Sequence, residues 1–327
     1  MWIHWLTPGN YNAPNEILFS NLASVRMRIG LVAKYASNSD LNFSAGDIIP
    51  VGADVIVIGK IGSDCKSGRE KLWLNQIFEA TKLSKTIILD YTDNHLGDKF
   101  SPMHNFYKNI LKFCNKAVVP SLVMQRMLTN FFENNIFIIE DPIEVKPIVP
   151  RKPIINDVVT LLWFGHGSNI AYLLDYLKND SICDIDLNLV VLSNKYGLDM
   201  VRGYKTTANK KINFHLENWS LQTMINASNN CQGCIIPSGI DTVSKSGASS
   251  NRLITAFALG LPVSADMLGS YIPFEKYFHK IKESPISEFI NKINYYHECV
   301  KSAQKDVVPL FDDDLIFKKW YELFASK

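Results

Sequence analysis

The chain has 327 residues, of which 47% are hydrophobic, and this predicts a globular protein with enough core for two domains. Its 34 lysines and arginines nearly balance 32 acidic residues, which excludes the basic excess typical of nucleic-acid-binding proteins. No run of about eighteen apolar residues occurs, and the first residues lack a basic, apolar leader. We therefore expect a cytoplasmic protein that meets any anionic ligand locally.

The first half of the chain alternates short β-rich runs with helical stretches, a pattern typical of a parallel sheet covered by helices. The predicted elements are, in chain order, the strand MWIHWL, a helix over 15–36, the strand DVIVIGK, a helix over 69–83, the strand TIILDY, a helix near 105–115, the strand AVVPS, a helix over 122–132 and the strand IFIIE. Together they predict one Rossmann-like domain over 1–141.

A proline-rich linker is predicted over 142–157, because its four prolines interrupt both helical and alternating patterns. The elements that follow are the strand VVTLLWFG, a helix over 169–177, the strands LNLVVLS and KINFHLE, a helix over 221–227, the strand GCIIPS, an apolar helix from 253, the strand LPVSA, and helices over 286–304 and 313–325. They predict a second Rossmann-like domain over 158–310, with a C-terminal segment over 311–327 free to pack back on the first domain.

Two Rossmann-like domains with parallel sheets facing a central cleft form the predicted α/β fold. Ligands of open α/β sheets bind beyond the carboxyl ends of the strands, so the turns after each strand hold the site candidates.

The stretch SKSGASSNRLITAFALGLPVSA combines a polar beginning with an apolar core helix. The first turn of a helix offers unpaired N–H groups and the positive end of the helix dipole, and anions bind there. Lys245, Ser250, Asn251 and Arg252 are therefore candidate phosphate-binding residues. The alternative is a solvated serine-rich cap with two surface cations.

The turn WFGHGSN opens the second domain and is the other candidate for donor binding. Gly165 and Gly167 permit close approach of a ligand to the backbone, and His166 can donate a hydrogen bond. Ser168 or Asn169 can cap the next helix, whose N–H groups face the phosphate. The alternative is an ordinary turn without a ligand.

Three segments of the second half, VVTLLWFGHGSN, INFHLENWSLQTMINASNNCQGCIIPS and KSGASSNRLITAFALGLPVSA, resemble in this order the second domain of GT-B glycosyltransferases. The first half resembles that family weakly, through NLASVRMRI, LDYTDNHL and IIEDPIE. The resemblance implies a nucleotide-sugar donor on the second domain and a glycan or lipid-linked acceptor on the first. It further implies a role in bacterial surface polysaccharide or lipopolysaccharide synthesis, and it is compatible with peripheral contact with the inner face of the membrane.

The chain departs from the best-known pattern of that family. Many retaining members carry two glutamates near this last helix, and the matching positions hold Gly247 and Thr255. The chain instead resembles relatives in which a lysine precedes an Asn-Arg pair, here Lys245 and Asn251–Arg252. The donor therefore stays open among UDP-, GDP- and CMP-sugars, CMP-Kdo included, as does the stereochemical outcome.

Acidic residues after two strands of the first domain are the candidate catalytic groups. Asp93, with His95 beside it, is the first choice for a base or a carboxylate that stabilises the developing cation. Glu140 and Asp141, before the linker, could hold sugar hydroxyls or supply a second carboxylate. Each pair has an alternative reading as a turn or helix cap. Arg26 and Arg28, two residues apart on the first helix, are expected to point to different faces, so that one of them could reach an anionic acceptor; the alternative is solvation at the surface.

No metal or cofactor is expected, because the nucleotide-sugar is a substrate and the cysteines lack a metal-binding pattern. The six cysteines, which include Cys183 and the CxxC pair Cys231 and Cys234, are expected to be reduced thiols without a second pair to complete a zinc site. Two rival functions stay open: a two-lobed small-molecule binding protein, and a nucleotide-sugar epimerase of the same fold.

Overall fold

The computed structural model describes residues 1–9, 11, 14–18, 20, 22–62, 64–65, 68–152, 158–178, 186–204 and 212–326. Cys183 and the end of the predicted linker, 153–157, lie outside the described residues. The chain divides into two compact units. The first comprises Met1–Pro142, Asp241–Ser249 and Asp313–Lys327, and the second comprises Ile143–Ile240 and Ser250–Asp312.

The first unit contains a sheet of six parallel strands in the order β2-β1-β3-β4-β5-β6. Its elements are β1 (Trp2–Leu6), α1 (Pro14–Leu18), a π-helical segment (Val25–Gly30), α2 (Leu31–Ala36), β2 (Asn42–Gly46), β3 (Val55–Ile58), α3 (Arg69–Lys82), β4 (Thr86–Asp90), α4 (His104–Ile110), β5 (Lys116–Val119), α5 (Leu122–Leu128) and β6 (Asn135–Ile138). The last helix of the chain, α12 (Asp313–Ala325), also belongs to this unit.

The second unit contains another sheet of six parallel strands, in the order β12-β11-β10-β7-β8-β9. Its elements are β7 (Val159–Phe164), α6 (Ile170–Lys178), β8 (Leu187–Ser193), α7 (Lys195–Arg202), β9 (Ile212–Asn218), α8 (Leu221–Ser228), β10 (Gly233–Ile236), α9 (Asn251–Ala258), β11 (Val263–Ala265), β12 (His279–Lys280), α10 (Ile286–Asn291) and α11 (Ile293–Asp306).

Each sheet has an apolar core on both faces, as expected of strands that are apolar throughout. In the first unit one core contains Trp73 and Phe106, and the other packs Trp5 against Trp320 of α12 with ring centroids 5.0 Å apart. In the second unit α9 lies in one core and Trp163 in the other. These findings confirm the predicted fold of two Rossmann-like domains.

Several elements differ from the sequence-based expectation. The single helix predicted over 15–36 is wrong, because α1 ends at Leu18 and the chain re-enters a helix through the π-helical segment. The predicted helix over 286–304 is divided in two at Lys292. Three elements were not predicted: β2, an edge strand of mixed polarity, together with α7 and the two-residue β12.

The strand order identifies a switch point in each sheet, which is the place where the connections from two adjacent strands run in opposite directions. Ligands of such folds bind at this point. In the first sheet it lies between β1 and β3, and Lys60 follows β3 there. In the second sheet it lies between β7 and β10, and the turn after β7 holds Gly165–Gly167. None of the described helices is both long enough and apolar enough to cross a membrane.

Candidate functional site

Asp93 lies in the turn after β4 and forms ion pairs with two lysines of the first unit. One carboxylate oxygen pairs with Lys60, and the other lies 3.3 Å from the Lys245 ammonium nitrogen. The Asp93 side chain is only 12% exposed, and burial alone would raise its pKa. The two lysines outweigh burial, so the pKa of Asp93 lies well below its usual value and the group stays ionised.

His95, two residues further on, is buried beside this cluster. Its ring stacks on Tyr107 at 5.3 Å, and its Nδ1 lies 2.9 Å from the Ser101 hydroxyl. Its Nε2 is buried 4.0 Å from an Asp93 oxygen and has no hydrogen-bond partner in the described ranges of the chain. Burial lowers the pKa of His95 to about 4, so the imidazole is neutral at pH 7 with one nitrogen able to take a proton.

The segment Asp241–Ser249 brings Lys245 to Asp93 by packing on α5. The Ser121 hydroxyl donates to the Gly247 carbonyl at 3.0 Å, and Asn94 donates its side-chain N–H to the Val243 carbonyl. A Cβ at Gly247 would lie 3.1 Å from the Met124 Cα, so a side chain at this position would require α5 to shift by a few tenths of an ångström.

Glu140 and Asp141 also lie in the first unit, and both are engaged in ion pairs. Asp141 accepts a hydrogen bond of 2.9 Å from Arg28, which is 1% exposed and also donates to both oxygens of Asp90 at 2.8 Å. Glu140 pairs with Lys319 of α12 at 2.6 Å. The alternative of surface solvation for Arg26 and Arg28 is wrong, because the π-helical segment buries both.

The turn after β7 in the second unit is held by hydrogen bonds between side chains and the backbone. His166 accepts a hydrogen bond from the Ser168 N–H and caps the short 3-10 helix Gly167–Asn169 that precedes α6. Asn194, which the sequence analysis missed, accepts from the N–H groups of Gly167 and Gly197. Gly167 has no room for a side chain, because a Cβ would lie 2.7 Å from the Gly197 nitrogen.

Arg252 is the second residue of α9, and its guanidinium lies among apolar and aromatic groups. The guanidinium carbon is 5.2 Å from the Trp163 ring centroid and 5.9 Å from that of Phe164. A Cβ at Gly165 would lie 3.5 Å from it, so this glycine leaves space beside the cation. Its Nε and Nη2 are buried and have no hydrogen-bond partner among the residues that the structure describes. Burial lowers the pKa of Arg252, partly offset by Tyr271 and Cys234.

The predicted donor residues are therefore distributed over the two units. Gly165–Asn169 and Ser250–Arg252 belong to the second unit, and Gly165 and Arg252 are neighbours there. Lys245 belongs to the first unit and pairs with Asp93.

The two cysteines of the CxxC pair, Cys231 and Cys234, are both buried. Burial raises the pKa of both thiols, that of Cys231 to about 12, so the reactive thiolate is disfavoured at pH 7.

Comparisons with known proteins support the fold. No protein-family model matches the sequence, and no curated protein matches it. The structure is similar to an alpha-glucosyltransferase (AGT) in complex with UDP, with a TM-score of 0.63, 8% identity and 100% of both chains covered. It is similar to TarM, with a TM-score of 0.57 and 15% identity over 83% of this chain. It is also similar to the lipopolysaccharide outer core galactosyltransferase WaaB, with a TM-score of 0.51, 12% identity and 99% of both chains covered.

The chain spans about half the length of TarM, since the match covers 55% of that chain. At these identities the likeness establishes the fold, which is the GT-B arrangement of two Rossmann-like domains that the sequence predicts.

Proposed function

We propose that this protein is a glycosyltransferase that uses a nucleotide-sugar donor, whose phosphate binds to Arg252 in the second unit. The observation that carries the proposal is the buried Nε and Nη2 of Arg252, which have no hydrogen-bond partner in the described part of the chain. Arg252 as a whole is half-buried, but withdrawing these two nitrogens from water without an acceptor carries a desolvation cost, so a protein that retains such a cation needs a reason to do so. A phosphate group would supply both the missing acceptors and the missing negative charge.

The surroundings of Arg252 suit the phosphate of a leaving nucleotide. The site adjoins the switch point of the second sheet, and α9 is long enough for its first N–H groups to attract an anion. As the bond between the sugar carbon and the phosphate oxygen breaks, its electron pair stays on the phosphate. Arg252, fixed against Trp163, would stabilise that charge without first reorganising.

The two candidate groups after β4 suit different parts of the reaction. Asp93 stays ionised and is held by Lys60 and Lys245, so it is a poor proton acceptor and suits stabilisation of a positively charged sugar. His95 is neutral and has an unpartnered Nε2, so it is the better group to take the proton of the acceptor hydroxyl. We therefore assign electrostatic stabilisation to Asp93 and the base to His95.

The relatives support the substrate class. The AGT structure is a complex with UDP, a mutant TarM structure contains alpha-GlcNAc-glycerol and UDP, and WaaB is described as a lipopolysaccharide outer core galactosyltransferase. We accordingly propose a UDP-sugar as the first donor to test and a surface glycan or its lipid-linked precursor as acceptor. GDP- and CMP-sugars are the alternatives, and neither a cofactor nor a metal is part of the proposal.

Nucleotide binding tests the proposal directly. Calorimetric titrations with UDP, GDP, CMP and ADP should identify one nucleotide that binds, and Arg252→Met should weaken it by about tenfold or more, since a charge-assisted hydrogen bond contributes roughly 1.5–3 kcal/mol. Arg202→Met is the matched control, because Arg202 lies in the same unit with its side chain 57% exposed. Equal affinity in wild type and Arg252→Met would refute the phosphate assignment.

Product analysis then separates the three functions. Incubation with the sugar conjugate of the bound nucleotide should release the nucleotide and glycosylate an acceptor. Recovery of an altered but intact donor would indicate an epimerase, and binding without turnover would indicate a binding protein.

A further inference from the structure

A cavity in the first unit, of about 650 Å³, lies against α4 and the loop before β6. Its volume is within the range of small-molecule sites, roughly 300–1,000 Å³. Its wall includes the apolar side chains of Leu96, Leu111 and Phe131, and Phe131 is 48% exposed. The cavity therefore offers apolar contact to a ligand that enters it from solvent.

Three lysines, Lys99, Lys108 and Lys112, line the same cavity, and Glu133 is the only acidic residue among the described residues of its lining. None of these lysines forms an ion pair within the described part of the chain. Lys108 and Lys112 are four residues apart on the continuous helical stretch formed by α4 and the 3-10 helix Leu111–Phe113, so they share one face. The lysines outnumber the acid by two, which equals the net charge of +2 of the whole chain.

The cavity is connected to the turn that carries the candidate catalytic groups. Leu96 and Gly97, which line it, directly follow His95 in the chain. The ring of His104, another lining residue, lies with Nδ1 3.1 Å from the His95 carbonyl oxygen. A ligand held here would therefore lie next to the Asp93–His95 turn.

From these observations we infer that the cavity binds the acceptor substrate, and that this acceptor carries a phosphate-type anion beside an apolar group. The unpaired lysines would contact the anion, and Leu96, Leu111 and Phe131 would contact the apolar part. A concave cavity of this volume fits one discrete molecule rather than the plane of a membrane. Naming the ligand as the acceptor rests on the proposed function, whereas the binding site itself does not.

Binding of octyl phosphate, measured by calorimetry below its micelle concentration, tests the inference. Inorganic phosphate and octyl glucoside are the two probes that each lack one half of the recognised chemistry. We expect both to bind about tenfold or more weakly than octyl phosphate, because each loses the charged or the apolar contacts. Equal binding of octyl glucoside, or equal binding of inorganic phosphate, would overturn the inference.

Charge-reversal variants locate the site. The double variant Lys108→Glu/Lys112→Glu should weaken octyl phosphate by about tenfold or more, since two attractive charges become repulsive. Lys71→Glu is the matched control, because Lys71 is an exposed helical lysine of the same unit that does not line the cavity. Unchanged affinity in the double variant would refute the site. Cosedimentation with anionic phospholipid vesicles is measured for the same double variant. If the variant no longer cosediments with the vesicles but still binds octyl phosphate, the lysines form a membrane-binding surface and the inference is refuted.

The nucleotide titration keeps this inference separable from the proposed function. The double variant should bind the nucleotide as wild type does, and Arg252→Met should bind octyl phosphate as wild type does. Failure of nucleotide binding in wild type, with octyl phosphate still bound, would remove the proposed function and leave an anionic-amphiphile site. Failure of octyl phosphate with the nucleotide bound would remove only the acceptor site.

Discussion

Two arginines, one in each unit, both lie over a tryptophan ring but differ in burial and in their partners, since Arg28 is fully buried and Arg252 is half-buried. The guanidinium carbon of Arg28 lies 5.2 Å from the Trp320 ring, and that of Arg252 lies 5.2 Å from the Trp163 ring. Arg28 also contacts the carboxylates of Asp90 and Asp141, whereas two buried nitrogens of Arg252 have no acceptor within the part of the chain that the structure describes. Burial alone would lower the pKa of both, but the two acids outweigh it at Arg28 and raise its pKa, and none does so at Arg252.

The difference separates a cation that stabilises the fold from one that is available to a ligand. Removal of a cation from a complete ionic network leaves its partners buried and unpaired. Removal of an unpaired cation relieves a desolvation cost. The two arginines should therefore respond in opposite ways to the same substitution, and the following predictions test that contrast.

The largest expected effect is on stability at Arg28. Arg28→Met should lower the free energy of unfolding by about 3–5 kcal/mol, because Asp90 and Asp141 are left buried without a counter-charge. Urea unfolding followed by circular dichroism measures this. The variant Arg28→Met/Asp90→Asn/Asp141→Asn should recover part of the loss, and a loss under 1 kcal/mol in the single variant would contradict the network's role.

Asp93 tests whether a paired charge can also serve in catalysis. Asp93→Asn keeps the size of the side chain and removes its charge, so sugar transfer should fall by about a hundredfold while nucleotide affinity stays within a few-fold. Asp98→Asn, in the same turn, is the control. Turnover near that of wild type would transfer the role to Glu140 or Asp141, the other two acids proposed from the sequence.

His279 represents a third way to bury an ionisable group, which is to keep it neutral. It lies between the hydroxyls of Ser264 and Ser284 at 2.7 and 2.6 Å, and burial lowers its pKa to about 4 although Glu288 and Glu283 oppose this. Its folded pKa is lower than its unfolded pKa. Its contribution to stability is therefore complete above about pH 6.5 and declines as the pH falls towards 4.

Between pH 7 and pH 5 this contribution should decline by about 2 kcal/mol. His279→Gln should flatten the dependence of the urea midpoint on pH over this interval. His215→Gln, at a side chain 72% exposed, is the control. Parallel pH profiles for wild type and His279→Gln would show that this group does not titrate on unfolding.

The smallest effect is expected on stability at Arg252. Arg252→Met should leave the free energy of unfolding unchanged or raise it by about 1 kcal/mol, because a desolvated cation is replaced by an apolar side chain. A loss comparable with that of Arg28→Met would mean that the fold itself needs Arg252. The contrast between the two arginines would then disappear.

The sequence indicates what depends on local pattern and misses what depends on distant partners. Buried parallel strands are apolar throughout, so runs such as VVTLLWF identify them, whereas β2 is of mixed polarity and β12 has two residues. Arg252 was predicted as an anion-binding residue because the polar start of an apolar helix is visible in a few residues. That role of Arg252 stays a prediction, as do the roles of His166 and Lys245 in donor binding.

Arg28 was misjudged because its partners lie 62 and 113 residues away in the sequence. Lys60 was missed for the same reason, since no pattern in the neighbouring sequence indicates its ion pair with Asp93. Asn194 follows β8 and holds the turn after β7, and a hydrogen-bonded Asn after a strand could have been suspected from position alone. To predict side-chain networks between turns, one must know which turns the topology brings together, and the pattern of a single sequence does not give this.

The composition of the first unit from three stretches of chain affects how it can fold during synthesis. A nascent polypeptide that has emerged only as far as residue 240 lacks Lys245 beside Asp93 and Trp320 beside Trp5. Domains commonly fold in order from the N-terminus as they leave the ribosome. Here the first sheet can form early, but one of its apolar faces stays open until residues 313–325 arrive. The N-terminal half should therefore be the part that most needs a chaperone while the rest is being translated.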